Sequence, residues 1–228
     1  MAKKKRTISP LYVHERPKST VSEKFRGIRS NITFSSAEKE VQSLLITSEK
    51  PKSGKSTVSA NIAVTYAQAG YKTLIIDGDM RKPTQHYIFD LPNNSGLSNL
   101  IINKVTYSKS IKETKVENLA ILTSGPTPPN PSELIASNHF NEIYNELLIH
   151  YDFIVIDTPP INTVTDAQIY AQTIQNCALV IDVEVNNKNE VKKAKDLINK
   201  AGGNLLGAIL NKMSVDKSSS YYYYYGDE

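Results

Sequence analysis

Nine consecutive residues carry the strongest chemical signal in the chain: Glu49-Lys50-Pro51-Lys52-Ser53-Gly54-Lys55-Ser56-Thr57. The closing Gly-Lys-Ser-Thr follows an apolar run, Leu44 to Thr47, and precedes a helical pattern, which is the strand–loop–helix setting of a phosphate-binding loop. In such a loop the backbone N–H groups and the positive end of the helix dipole face an anion. Lys55 would reach the β- and γ-phosphates of a nucleotide, and the Ser56 hydroxyl would bind Mg²⁺. The whole segment is therefore expected to line the nucleotide, a basic turn before an ordinary helix being the plain alternative. Two positions depart from the general GxxxxGKS/T form. Glu49 stands where the first glycine belongs, and Lys52 is larger than a tight phosphate cradle usually prefers.

Carboxylates close two further apolar runs. Leu74-Ile75-Ile76 leads into Asp77-Gly78-Asp79-Met80-Arg81, and on an extended chain acids at i and i+2 point to the same side. Beside a triphosphate, one would hold Mg²⁺ with its water shell while the other accepts a proton from an attacking hydroxyl. Taken alone, the pair also fits an Asp-rich turn. Phe153 to Ile156 likewise ends in Asp157-Thr158-Pro159-Pro160, where Asp157 fits the Walker B position at the metal. A lysine, a serine and three strand ends thus converge on one MgATP.

The elements that must position these groups follow from hydrophobic pattern. Leu44 to Thr47, Leu74 to Ile76, Leu119 to Leu122, Phe153 to Ile156, Ala178 to Val183 and Leu205 to Leu210 are strand-length and rich in Ile, Val and Leu. They are near-continuous rather than alternating, as in strands buried on both faces, with helical patterns between several of them. Val58, Ile62 and Tyr66 fall at i, i+4 and i+8, and Gly70 stands at the C-terminal stop of that helix. The expected fold is α/β and P-loop NTPase-like, a mostly parallel sheet flanked by helices on both faces. Ligands of such sheets sit beyond the carboxyl ends of the strands. Three regions are expected: an N-terminal arm and helix over 1–40, a P-loop domain over 41–212, and a tail over 213–228. The arm is polar and without clear period to about residue 20, then helical from Ser22 to Asn31.

A phosphate loop with Pro51, then Asp77-x-Asp79-x-Arg81, then Asp157-Thr158-Pro159-Pro160, then a terminal tyrosine cluster resembles the bacterial tyrosine kinases of capsule and exopolysaccharide assembly. The match runs from about Glu23 to the end and is nearest to the Gram-positive capsular kinases without their own membrane domain. The resemblance implies that Lys55 is the essential phosphate-binding lysine, that Asp77 is a candidate base, and that Asp79 and Asp157 serve the magnesium shell. Whether Asp77 or Asp79 is the base stays open. It further implies that Asn211 reads adenine and that Glu23, Arg26 and Arg29, at three-residue spacing, mediate assembly into a ring. Without it, those three would read as a solvated helix face.

Tyr221, Tyr222, Tyr223, Tyr224 and Tyr225 are five of the thirteen tyrosines and fall in a segment without apolar period that reads as a flexible, accessible tail, where a phosphoacceptor should be. Full phosphorylation would add roughly −7.5 to −10 charges to a chain whose formal net charge is +4. An unmodified tail is therefore expected to enter a neighbouring subunit's site, and a phosphorylated one to be repelled and to loosen the ring. The family implies a membrane-embedded polysaccharide co-polymerase as activating partner.

The modest charge does not argue for nucleic acid, and Lys3 to Arg6 reads as a solvated end. No apolar run follows those basic residues, so no secretory signal is read and a cytoplasmic location is expected; the resemblance implies recruitment to the inner membrane face by that partner. Cys177, the only cysteine, reads as a buried inert thiol, and the four histidines show no zinc spacing. The rival reading is a P-loop ATPase switch of the partitioning and cell-division type. Lys50 favours it, because it aligns with the extra lysine of that family's loop; Pro51, the Asp77/Asp79/Arg81 pattern and the tyrosines oppose it.

Overall fold

The computed structural model describes residues 10–35, 41–103 and 105–213; Lys3 to Arg6 and Tyr221 to Tyr225 lie outside them. Among the described residues there are seven strands: β1 (Ser43–Ser48), β2 (Thr73–Asp77), β3 (Ile111–Glu113), β4 (Leu119–Leu122), β5 (Phe153–Asp157), β6 (Asn176–Asp182) and β7 (Asn204–Asn211). They form one sheet in the order β3, β4, β2, β5, β1, β6, β7. Every pairing is parallel except that of β3 with β4. Each expected apolar run is thus a strand. The edge strand β3 was not expected, because three residues, Ile-Lys-Glu, carry too little pattern.

The helices are α1 (Tyr12–Glu15), α2 (Thr20–Phe34), α3 (Lys55–Gln68), α4 (Gln85–Phe89), α5 (Leu97–Ile101), α6 (Tyr107–Ser110), α7 (Pro131–Ile135), α8 (Asn138–His150), α9 (Asp166–Ile174) and α10 (Lys188–Lys200). Alternate strand residues feed two separate apolar layers, as the two-residue period of a strand demands. Leu44, Ile46, Ile75, Phe153 and Val155 pack with Val58, Ile62 and Tyr66 of α3 on one face. Leu45, Leu74, Ile76, Ile154 and Ile156 pack with Phe140, Leu147, Tyr170 and Ile198 on the other. Because both faces are covered, β1, β2 and β5 are buried along their whole length.

The arm departs from its sequence reading. Leu11 and Val13 are completely buried, and Asn61 of α3 ties them down. Asn61 Oδ1 accepts from Val13 N at 2.9 Å, and Asn61 Nδ2 donates to Pro10 O at 2.8 Å. Two apolar residues are too few to create a period, yet enough to dock one helical turn. Ser19 caps helix α2, its side chain accepting from Ser22 N at 3.2 Å, the usual N-cap arrangement.

Candidate phosphoryl-transfer site

The site lies at the carboxyl ends of β1, β2 and β5. From β1 the chain turns through the phosphate loop into α3. Gly54 has φ +89°, in the left-handed region, and a Cβ there would stand 2.2 Å from Asn211 Nδ2. Only glycine meets both demands. As N-cap of α3, Gly54 offers no side-chain acceptor, so the first-turn N–H groups and the helix dipole are left to an anion. Lys52 also takes a left-handed φ of 66° and is exposed, so its bulk turns to solvent and leaves the cradle free. Glu49 is buried, and Ser53 Oγ lies 3.4 Å from each of its carboxylate oxygens and 3.1 Å from Lys50 O. The acid in the first glycine position therefore braces the loop from within. Lys50 turns sideways to Asp182 at 3.8 Å, an acid that also takes Lys212 Nζ at 2.7 Å. Asn211 Nδ2 donates to Ser53 O at 2.8 Å, which fixes the end of β7 against the loop.

Lys55 is the charge centre. Its Nζ stands 3.3 Å from Asp79 Oδ2, 3.4 Å from Asp157 Oδ1 and 3.1 Å from Ser56 Oγ. Burial works against its charge, but Asp157, Asp79 and Asp77 outweigh burial and hold the ammonium above its ordinary pKa. The structure thus already keeps a cation between two carboxylates and a hydroxyl. Those hard oxygen donors suit Mg²⁺, and the glycine cradle with open helix amides suits nucleotide phosphates.

Asp77 and Asp79 do not sit on one extended run. Strand β2 ends at Asp77, and the chain then folds so that Asp79 N donates back to Asp77 Oδ1 at 3.3 Å. Asp79 reaches Lys55, whereas Asp77 Oδ2 accepts from Thr84 N and Gln85 N, both at 2.9 Å, at the start of α4. Asp77 is fully buried beside Asp157, its neighbour in register. Burial, then the Asp157 charge, pushes its carboxyl up to about 7, against the lowering effect of the two amides and Lys55. Gly78 makes the fold-back possible, since a Cβ there would lie 3.0 Å from Asp157 O and 3.1 Å from the Tyr170 ring.

Three side chains that the motifs do not include complete the arrangement. Ser59 Oγ lies 3.3 Å from Asp157 Oδ1, and Gln85 Nε2 donates to Asp157 Oδ2 at 2.8 Å. Asp166, fully buried at the start of α9, accepts both forks of Arg81 at 2.8 and 3.0 Å and the Ser132 hydroxyl at 2.7 Å. Ser59 was accessible to sequence reasoning, one helical turn beyond Lys55. Gln85 and Asp166 were not, because their partners are 72 and 85 residues away.

Glu23, Arg26 and Arg29, expected from the resemblance to mediate assembly, take intrachain partners. Arg26 pairs with Glu23 and donates to Pro17 O at 2.8 Å, and Arg29 donates to Thr65 O of α3 at 2.7 Å. Cys177 is buried in β6, and burial pushes its thiol up to about 12, which keeps it unreactive.

With this geometry in view, comparison with known proteins is decisive. A family model described as an AAA domain matches residues 41–187. The Staphylococcus aureus protein CapB is 80% identical over 228 residues, covering 100% of both chains, and the tyrosine-protein kinase YwqD of Bacillus subtilis is 43% identical over 205 residues, covering 90% of this chain and 86% of its own. The chain belongs to the bacterial tyrosine-kinase family. Among solved structures, the chimerical protein CapA2B2 superposes with a TM-score of 0.89 at 61% identity, covering 91% of each chain. The septum site-determining protein MinD from Pyrococcus horikoshii, complexed with Mg-ADP, superposes at 0.64 and 25% identity, covering 79% of this chain and 76% of its own. This chain and that MinD therefore share the P-loop NTPase-like sheet. Among the described residues no helix is long and apolar enough to cross a membrane.

Proposed function

We propose that this tyrosine-protein kinase transfers the γ-phosphoryl group of MgATP to tyrosines Tyr221 to Tyr225 of a neighbouring copy, and by doing so regulates capsular polysaccharide synthesis and export. The observation that carries the reading is the Lys55 ammonium held among Asp79, Asp157 and Ser56 at the mouth of a glycine cradle. Lys55 would turn from the carboxylates to the β- and γ-phosphates, and Ser56, Asp79 and Asp157 would hold Mg²⁺ in its place. Bound there, Mg²⁺ would supply positive charge to the transferring group. The loop from Glu49 to Thr57 would wrap the phosphates, and Asn211 would release Ser53 to meet the adenine.

The acceptor tyrosine oxygen forms the new P–O bond as the bond to ADP breaks, and its proton passes to Asp77. A carboxyl near 7 is matched to that role, because a base works best with a pKa near the operating pH. Catalysis otherwise rests on positioning and charge. The ring of subunits held by Glu23, Arg26 and Arg29 would present each tail to the next site, and a membrane-embedded co-polymerase would recruit and activate the chain at the inner membrane face. The fusion named CapA2B2, in a protein so similar, supports a dedicated partner.

The test is mass spectrometry of the tail after the pure chain is incubated with MgATP and a cytoplasmic segment of its partner. Phosphate on Tyr221 to Tyr225 that disappears in Lys55→Met is the expected result. Unmodified tyrosines together with Lys55-dependent ATP hydrolysis would overturn it in favour of the partitioning-type ATPase switch, whose fold the chain shares.

A further inference from the structure

Gln85 opens α4 and touches all three site motifs at once. Its backbone N–H donates to Asp77 Oδ2 at 2.9 Å, and its Nε2 donates to Ser56 O at 3.0 Å and to Asp157 Oδ2 at 2.8 Å. The side chain is completely shielded from solvent. Its other amide atom, Oε1, is buried with no hydrogen-bond donor among the described residues.

For a residue that only filled space this would be a poor choice. A buried acceptor without a donor costs about 1–3 kcal/mol, and an apolar side chain of the same length would avoid that cost. The amide does something an apolar group cannot. By occupying Asp157 Oδ2 it fixes the carboxylate plane, and it leaves Oδ1 as the oxygen that faces Lys55 and Ser59. It does so without a charge, so the full negative charge of Asp157 stays available to a cation. The same nitrogen holds the carbonyl of Ser56, the residue whose hydroxyl stands beside Lys55.

We propose that Gln85 is a positioning residue for the magnesium site: it orients Asp157 and Ser56 relative to each other, and presents Oδ1 of Asp157 as the ligand. The inference rests on the reading of Asp157 and Ser56 as magnesium ligands. Oε1 supplies an acceptor for a donor that arrives with the ion, such as one of its waters. Groups that orient metal ligands in this way typically change metal affinity about 10- to 100-fold when removed.

Calorimetric titration of the full chain with ADP across a series of Mg²⁺ concentrations tests this without reference to turnover. Gln85→Met keeps length and volume and removes the donor. Its ADP affinity without Mg²⁺ should stay within about twofold of the original, while the Mg²⁺ concentration for half-maximal enhancement rises about 10- to 100-fold. If Gln85→Met does not unfold cooperatively like the parent, Gln85→Asn, which keeps the amide but withdraws it by one methylene, should show the same shift. An unchanged Mg²⁺ midpoint in a folded variant overturns the inference. So does an equal loss of ADP affinity with and without Mg²⁺, which would make Gln85 a support for the fold alone. A parent chain whose ADP affinity ignores Mg²⁺ would overturn the magnesium reading itself, and is recognised before any variant is compared.

Discussion

Asp77 on β2 and Asp157 on β5 stand directly opposite each other in a parallel pairing, both completely buried. Two adjacent carboxylates in a protein interior require a compensating cation, and Lys55 from α3 is the one provided.

Removing that cation should therefore matter to the ligand-free fold as well as to nucleotide binding. Lys55→Met is expected to destabilise the chain by about 3–5 kcal/mol, the usual cost of leaving a buried charge without its partner. Denaturant unfolding at pH 8 measures this. Added Mg²⁺ should restore part of the loss, since it supplies positive charge to the same oxygens.

Asp77 makes stability and activity respond to pH in opposite directions. Its carboxyl titrates near 7 in the folded chain and near about 3.9 when unfolded. Between those values the folded state keeps a proton that the unfolded state has lost, so this contribution to stability is complete at low pH and is lost as pH rises through about 7. Asp77→Asn should be more stable than the parent at pH 8, by about 1–3 kcal/mol, with the gap closing toward pH 4. The same substitution should abolish tyrosine phosphorylation, whose rate in the parent should climb through pH 7 as the base is released. Thermal unfolding and phosphotyrosine rates over one pH series check both.

Gly54→Ala should all but eliminate nucleotide binding for two separable reasons. The left-handed backbone costs any other residue about 1–2 kcal/mol, and the new methyl would collide with Asn211 Nδ2. Gly54→Ala combined with Asn211→Gly relieves the collision but keeps the backbone strain and removes the side chain proposed to meet adenine, so stability in denaturant should recover in part while ADP affinity stays low.

On α2, Arg29 and Glu23 should behave differently. Arg29 anchors the helix to Thr65 O of α3, so Arg29→Ala should lower the stability of a single subunit by about 1.5–3 kcal/mol. Glu23 is exposed and, among the described residues, its side chain pairs with Arg26 of its own helix, and Glu23→Ala should stay within about 0.5 kcal/mol. Glu23→Ala is thus the cleaner probe of assembly. Reduced mass by light scattering at unchanged melting temperature is the expected outcome.

The strands and the phosphate loop were legible from sequence because their causes are local. A strand buried on both faces must be apolar at every position, as in Leu44-Leu45-Ile46, and a phosphate cradle between strand and helix needs Gly54 and Lys55 in that order. The acids ending β2 and β5 were legible for the same reason, as polar residues closing apolar runs. Pairing was not. Strands β1 and β2 are consecutive in the chain, yet β5 lies between them in the sheet, and only that insertion sets Asp157 beside Asp77. Helix α1 escaped because Leu11 and Val13 are too few to make a period, and β3 because it is too short. Gln85 and Asp166 escaped because nothing around them in sequence distinguishes them from surface polar residues. The amino-acid sequence by itself determined the layered sheet and which residue types stand at its carboxyl edge. The tertiary structure alone decided which of them meet, because hydrogen-bond partners and compensating charges depend on strand order, and strand order is a property of the whole chain.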